Sequence, residues 1–138
     1  MYCSYAWKAL QAYEKAGLQV RWLLVAYQKD SSLPRAAAIL QAKDRVAALR
    51  QNESGYATAT FDGAIAPLAH AEPALTAMIE ANNRLIDKMR LSGTPAFVWR
   101  DASGAAHTLL GMPRLSQWPA ITGLPEQKID APELARFR

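Results

Sequence analysis

The sequence predicts an α/β fold on three observations. Apolar residues recur at helical spacing from Ala6 to Ala16, a short run rich in β-formers follows from Val20 to Tyr27, and two further β-rich runs flank a tight turn at Asp101-Ala102-Ser103-Gly104. Helix-forming stretches fill the interval between the first run and the last pair, so helix and strand alternate along the chain.

The elements follow in order. Trp7, Leu10 and Tyr13 line one face of an amphipathic helix that opens at Cys3, Lys8, Gln11, Glu14 and Lys15 fill its other faces, and Gly17 closes it as a C-cap. Val20–Tyr27 is too short for a self-standing helix and lies between Gly17 and the polar Gln28–Ser32, which predicts a buried parallel strand. Pro34 suits a first helical turn behind Ser31-Ser32, and Arg35–Lys43 has strong helix propensity, continuing after a break near Asp44 to about Arg50. Periodicity fades from Asn52 to His70 among Gly55, Thr58, Thr60, Gly63 and Pro67, the composition of a loop. Helix resumes at Glu72-Pro73 with Leu75, Met78, Ile79, Leu85, Ile86 and Met89 as its apolar set, and Asn82-Asn83 is expected to divide it. Ala96–Arg100 and Ala105–Leu110 form a hairpin. A short helix from Leu115 to Ile121 stops at Gly123, and the tail from Pro125 to Arg138 is expected to be loosely held.

Composition narrows the function. With 138 residues, 51% of them apolar, the chain can bury one core, which predicts one domain over residues 1–124 followed by a tail over 125–138. The net charge of +4 is spread without a run of three basic residues, and no aromatic-basic interleaving of a nucleic-acid module is present, so the charges belong to a solvated surface. One cysteine allows neither an internal disulfide nor a cysteine-based zinc site. His70 and His107 fall in no metal-ligand spacing, and no cofactor is implied. No window of eighteen apolar residues could span a membrane, and the first residues show no export signal.

Cys3 is the chemically informative residue. A thiol at a helix N-terminus has a lowered pKa, and the thiolate is the nucleophile. Cys3-Ser4-Tyr5-Ala6 has the form of a C-x-x-C redox motif with alanine in the second cysteine position. Gly93-Thr94-Pro95 precedes the hairpin. Weighed alone, a single cysteine is more often a small buried hydrophobe, Gly-Thr-Pro is a common turn, and Trp7, Trp22, Trp99 and Trp118 belong to packing, although Trp7, one turn beyond Cys3, could flank a substrate groove.

Taken with Arg21–Val25, Arg35–Asp44, Asn83–Asp87, Gly93–Ala96 and Gly111–Pro113, these residues resemble the thioredoxin-like periplasmic disulfide isomerases of the DsbC/DsbG type, the DsbG branch above all, over about Cys3 to Gly123. The resemblance implies a thioredoxin-like fold with a helical insertion, here lacking the first, central strand and the N-terminal dimerisation domain. It implies Cys3 as attacking thiolate, Ser4 and Tyr5 tuning its hydrogen bonding and access, Pro95 as a cis-proline opposite it, Thr94 pairing with a substrate strand, and Ala6 at the lost resolving position. The substrates would be protein disulfides or oxidised cysteines held as mixed disulfides, the location periplasmic and the reductant a membrane thiol protein of the Dsb type. Full-length relatives are homodimers, which is not expected of this chain. A missing central strand would leave ladder groups open on both neighbours, so the chain reads as one whose start is absent or misplaced. The alternatives are a redox-silent module that binds unfolded polypeptides and a reducer of single oxidised cysteines.

Overall fold

A computed structural model describes the chain from Met1 to Arg138. The residues form two compact units, one of Met1–Arg21 with Ser92–Arg138 and the other of Trp22–Leu91.

In the first unit, helix α1 (Tyr2–Lys15) buries Ala6, Ala9, Leu10 and Tyr13, spaced at i, i+3, i+4 and i+7. Two bonds end it, from the Leu18 N–H to the Tyr13 carbonyl and from the Gly17 N–H to the Glu14 carbonyl, with Gly17 at φ +100°. This is the Schellman arrangement, in which a left-handed residue lets the chain double back on the last carbonyls. Strands β1 (Ala96–Arg100) and β2 (Ala106–Leu110) pair antiparallel from Ala96 opposite Leu110 to Arg100 opposite Ala106. Bonds from Gly111 N–H to Pro95 O (2.8 Å) and from Asp101 N–H to Ala105 O (3.0 Å) bracket that ladder. Because antiparallel bonding alternates, Phe97 and Trp99 exchange bonds with β2 while the backbone groups of Ala96, Val98 and Arg100 face the opposite edge, along which no second strand runs. Phe97 meets Trp118 edge-on at 5.3 Å, and Trp118, fully buried at the start of α5 (Trp118–Thr122), also lies against Tyr13. Gly123 at φ +70° stops α5.

The tail is not loose. Residues Pro132–Phe137 form a 3-10 turn in which Leu134 is fully buried, Glu133 pairs with Lys8 of α1, and the Gln127 N–H reaches the Tyr13 hydroxyl. Leu134 and Phe137 recur three apart behind Pro132, a one-turn pattern short enough to pass for a polar end.

The second unit holds α2 (Ser32–Gln41), α3 (Arg45–Ser54) and α4 (Pro73–Lys88). Ala36 and Ala37 let Ile79 of α4 come close, while Ile39, Ala48 and Leu49 join α2 to α3. The break near Asp44 is a cap, its carboxylate accepting the Ala47 N–H at 2.9 Å. Between α3 and α4 the loop is pinned at Asp62, which lies beside the Ser31 hydroxyl, Arg35 and Lys29. Partial desolvation works against ionisation there, but that hydroxyl and the two cations outweigh it and hold the Asp62 carboxyl below its usual range.

Two expectations are overturned in this unit, and one cause explains both. Val20–Tyr27 is not a β-strand, and Asn82-Asn83 does not divide α4. The helix runs through, and the two carboxamides bond to the Val20–Tyr27 segment instead. Asn83 accepts the Ala26 N–H at 2.9 Å and donates to the Ala26 carbonyl at 3.1 Å, while Asn82 donates to the Leu24 carbonyl at 2.9 Å. Side chains stand where a neighbouring strand's backbone would, so the β-forming run forms no ladder.

Candidate active site

Cys3 is the second residue of α1, in the turn whose N–H groups have no intrahelical acceptor. That end of a helix carries partial positive charge, and no carboxylate stands in the first turn to offset it. Cys3 is part-buried, Ser4 is only 3% exposed, and Ala6 is fully enclosed among the packing residues of α1. Position 6, where the resemblance would put a second thiol, is therefore an interior one. Ser4 lies inside, not on a surface that a substrate could touch directly.

Tyr5 is half-buried, with its ring 5.7 Å from Phe137, and Tyr2 completes a three-ring cluster at 6.1 and 6.2 Å. The tail thus reaches the residues that flank the thiol. The sequence reading did not include Phe137 in the site, and its spacing from Leu134 is the signal that could have found it. The Lys8 ammonium, bonded to Glu133, holds that carboxyl below its usual range.

The Thr94–Pro95 peptide bond is cis, and Pro95 is buried, fixed by the Gly111 bond to its carbonyl. Thr94 and Pro95 belong to the same unit as Cys3 and lie at the head of β1, beside its open edge. Gly93 lies close to the Leu110 side chain, and Gly111 takes φ +87°, the left-handed geometry that lets the chain leave β2 there.

His107 lies in β2, next to the hairpin turn. His107 stacks on its cross-strand partner Trp99 at 5.3 Å and donates through Nε2 to Asp101 at 2.7 Å. Asp101 also accepts from the Ser103 hydroxyl, and these two bonds, the serine's first, hold its carboxyl far below the usual range. The arrangement closes a turn. Serine and histidine both bond to the carboxylate and not to each other, so it is not a nucleophile–base relay. No group of three or more His, Cys, Asp or Glu side chains converges as metal ligands, and no helix is long and apolar enough to cross a membrane.

No family model matches the chain. It is similar to the thiol:disulfide interchange protein DsbG of Pseudomonas aeruginosa, with 28% identity over 123 residues, which are 88% of this chain and 46% of that protein. The chain spans about half the length of the curated relative it matches. The likeness agrees with the resemblance carried by the residues, and the helices and the two-stranded hairpin make a mixed helix-and-sheet arrangement consistent with it.

Proposed function

We propose that this chain carries out thiol-disulfide exchange on protein disulfides or oxidised cysteines, with Cys3 as the attacking thiolate. The observation that carries the reading is the place of Cys3 in the first turn of α1, where the helix end favours an anion by about 1 kcal/mol, up to about 2 in partly buried geometries. The likeness to DsbG supports it.

In the first step the Cys3 thiolate attacks one sulfur of a substrate disulfide. A bond forms between Cys3 Sγ and that sulfur, the old S–S bond breaks, and the second substrate sulfur leaves as a thiolate. The open edge of β1 beside Thr94 and Pro95 is where an extended substrate would pair its backbone, with Tyr5 limiting access and Ser4 tuning the thiol's hydrogen bonding from inside. Ala6 cannot resolve the mixed disulfide, so release falls to another thiol, either the substrate's own, which completes an isomerisation, or one from a reductant such as a membrane Dsb-type partner. By resemblance the work is periplasmic, and residues 1–124 form the catalytic domain. The lack of a second cysteine favours one further reading, a redox-silent module that holds unfolded polypeptides at the same edge.

The test is reaction with a disulfide-bonded peptide followed by intact mass. The chain should stop at a one-to-one adduct, Cys3→Ser should abolish it, and Ala6→Cys should let the adduct collapse and release reduced peptide. Peptide binding of unchanged strength without any adduct would replace the exchange reading with the redox-silent one.

A further inference from the structure

Between α1 and the returning tail runs a groove of about 620 Å³, within the range of about 300–1,000 Å³ typical of ligand sites. The tail passes α1 in the opposite direction, with the Gln127 N–H at the Tyr13 hydroxyl and Glu133 paired with Lys8. Trp7, Gln11 and Lys15 recur every four residues along the helix wall, so the groove follows α1 for about 12 Å at about 1.5 Å per residue. Cys3 does not line it, and Lys15 lies about 18 Å along the axis from the thiol. What the groove holds is therefore bound apart from the exchange chemistry.

On the tail side, the backbone N–H and C=O groups of Lys128, Ile129 and Asp130 bond to no other group of the chain, which leaves three consecutive residues able to pair with another backbone. On the helix side, the part-buried Trp7 indole gives one end an apolar wall. Of the ionised side chains, Lys8 and Glu133 neutralise one another, while Lys15, Lys128 and Asp130 are exposed and take part in no ion pair. Lys128 adjoins the Gln127 contact with Tyr13, so both free lysines lie at the end away from Trp7, and with Asp130 offsetting one of them that end is cationic. We infer that the groove binds an extended peptide segment that carries an aromatic side chain against Trp7 and an acidic one between Lys15 and Lys128. Four residues of extended chain span about 13 Å and bring side chains to the same side, so the two anchors stand four positions apart.

A small anion would use the lysines and leave the indole and the open backbone groups idle. A peptide uses all three, its main chain supplying hydrogen bonds and its alternate side chains the specificity. The groove is a second peptide site, distinct from the β1 edge, and it stands whether or not Cys3 exchanges disulfides.

The experiment uses the whole chain and two acetylated, amidated heptapeptides without cysteine, which carry phenylalanine and glutamate at the second and sixth positions in the two possible orders and serine elsewhere. Calorimetry should show saturable binding of at least one of them. Glutamine in place of the glutamate, or the Lys15→Gln/Lys128→Gln variant, should weaken it about fivefold, as expected for an exposed carboxylate beside two lysines. Both lysines are exposed, so the double variant should keep the native circular dichroism spectrum. N-methylation of the fourth or of the fifth peptide amide should differ in effect by about tenfold, because neighbouring amides of an extended chain point to opposite sides. Bound peptide should slow hydrogen exchange at the amides of residues 128–130, leave β1 unchanged and leave the alkylation rate of Cys3 as it was. No binding by either peptide, equal binding by an all-serine peptide, or protection in β1 instead of residues 128–130 would overturn the groove assignment. Failure of Cys3 to form an adduct with a peptide disulfide would defeat the exchange reading and leave this measurement untouched.

Discussion

Two runs rich in β-formers, Leu24–Ala26 and Ala96–Arg100, have different fates. Ala96–Arg100 meets β2 and becomes a strand whose inner face, through Phe97, rests on the buried Trp118. Leu24–Ala26 meets the carboxamides of α4 and forms no ladder. Whether such a run becomes a sheet depends on which donors and acceptors arrive alongside, and a strand's backbone and an asparagine carboxamide satisfy one residue's N–H and C=O equally well.

The comparison is broken most forcefully at Trp118. Trp118→Ala removes the ring on which Phe97 and Tyr13 pack and should cost about 3–5 kcal/mol in urea unfolding. Residues 22–91 should keep their hydrogen-exchange protection better than the hairpin does. Equal loss across both units would mean that β1 does not depend specifically on the aromatic core.

The next largest effect sits on the other run. Asn83→Ala leaves two part-buried backbone groups of Ala26 without their partners and should cost about 2–3 kcal/mol, and Asn82→Ala, with one bond at stake, about 1 kcal/mol. The amide of residue 26 should exchange faster in Asn83→Ala and hardly change in Asn82→Ala. If both variants were neutral, the carboxamides would not stand in for a strand.

The smallest effect belongs to the turn that joins β1 and β2. Asp101 is held below its usual range by Ser103 and His107, so its stabilisation of the hairpin is complete above the ordinary carboxylate pKa, about 3.9, and is lost as pH falls further. Asp101→Asn should flatten that acid limb slightly and leave neutral-pH stability nearly unchanged, because the pair is exposed. A steep acid transition that persists in the variant would place the sensitivity elsewhere.

What could be read in advance follows the same division. Local chemistry announced itself. Pro73 opened α4, a break fell at Asp44, Gly17 and Gly123 closed their helices, and the hairpin runs fell where the alternation put them. The thiol's place in the first turn of α1 was legible too, because Cys3 stands directly ahead of a periodic helix. Partnership was not legible. Nothing local in Leu24–Ala26 says that residues nearly sixty positions on will bond to it, and Asn82-Asn83 looks like a helix breaker until those bonds are known. The tail was missed for a related reason: Leu134 and Phe137 are two apolar residues among charged ones, and only α1 gives them somewhere to pack.

The central claim is that Cys3 is an activated nucleophile in the first turn of α1, and the rate of its alkylation by iodoacetamide against pH tests it most directly. The account predicts a single titration with a midpoint well below the free-thiol value of about 8.5, lost in Cys3→Ser. A midpoint at or above that value would contradict it.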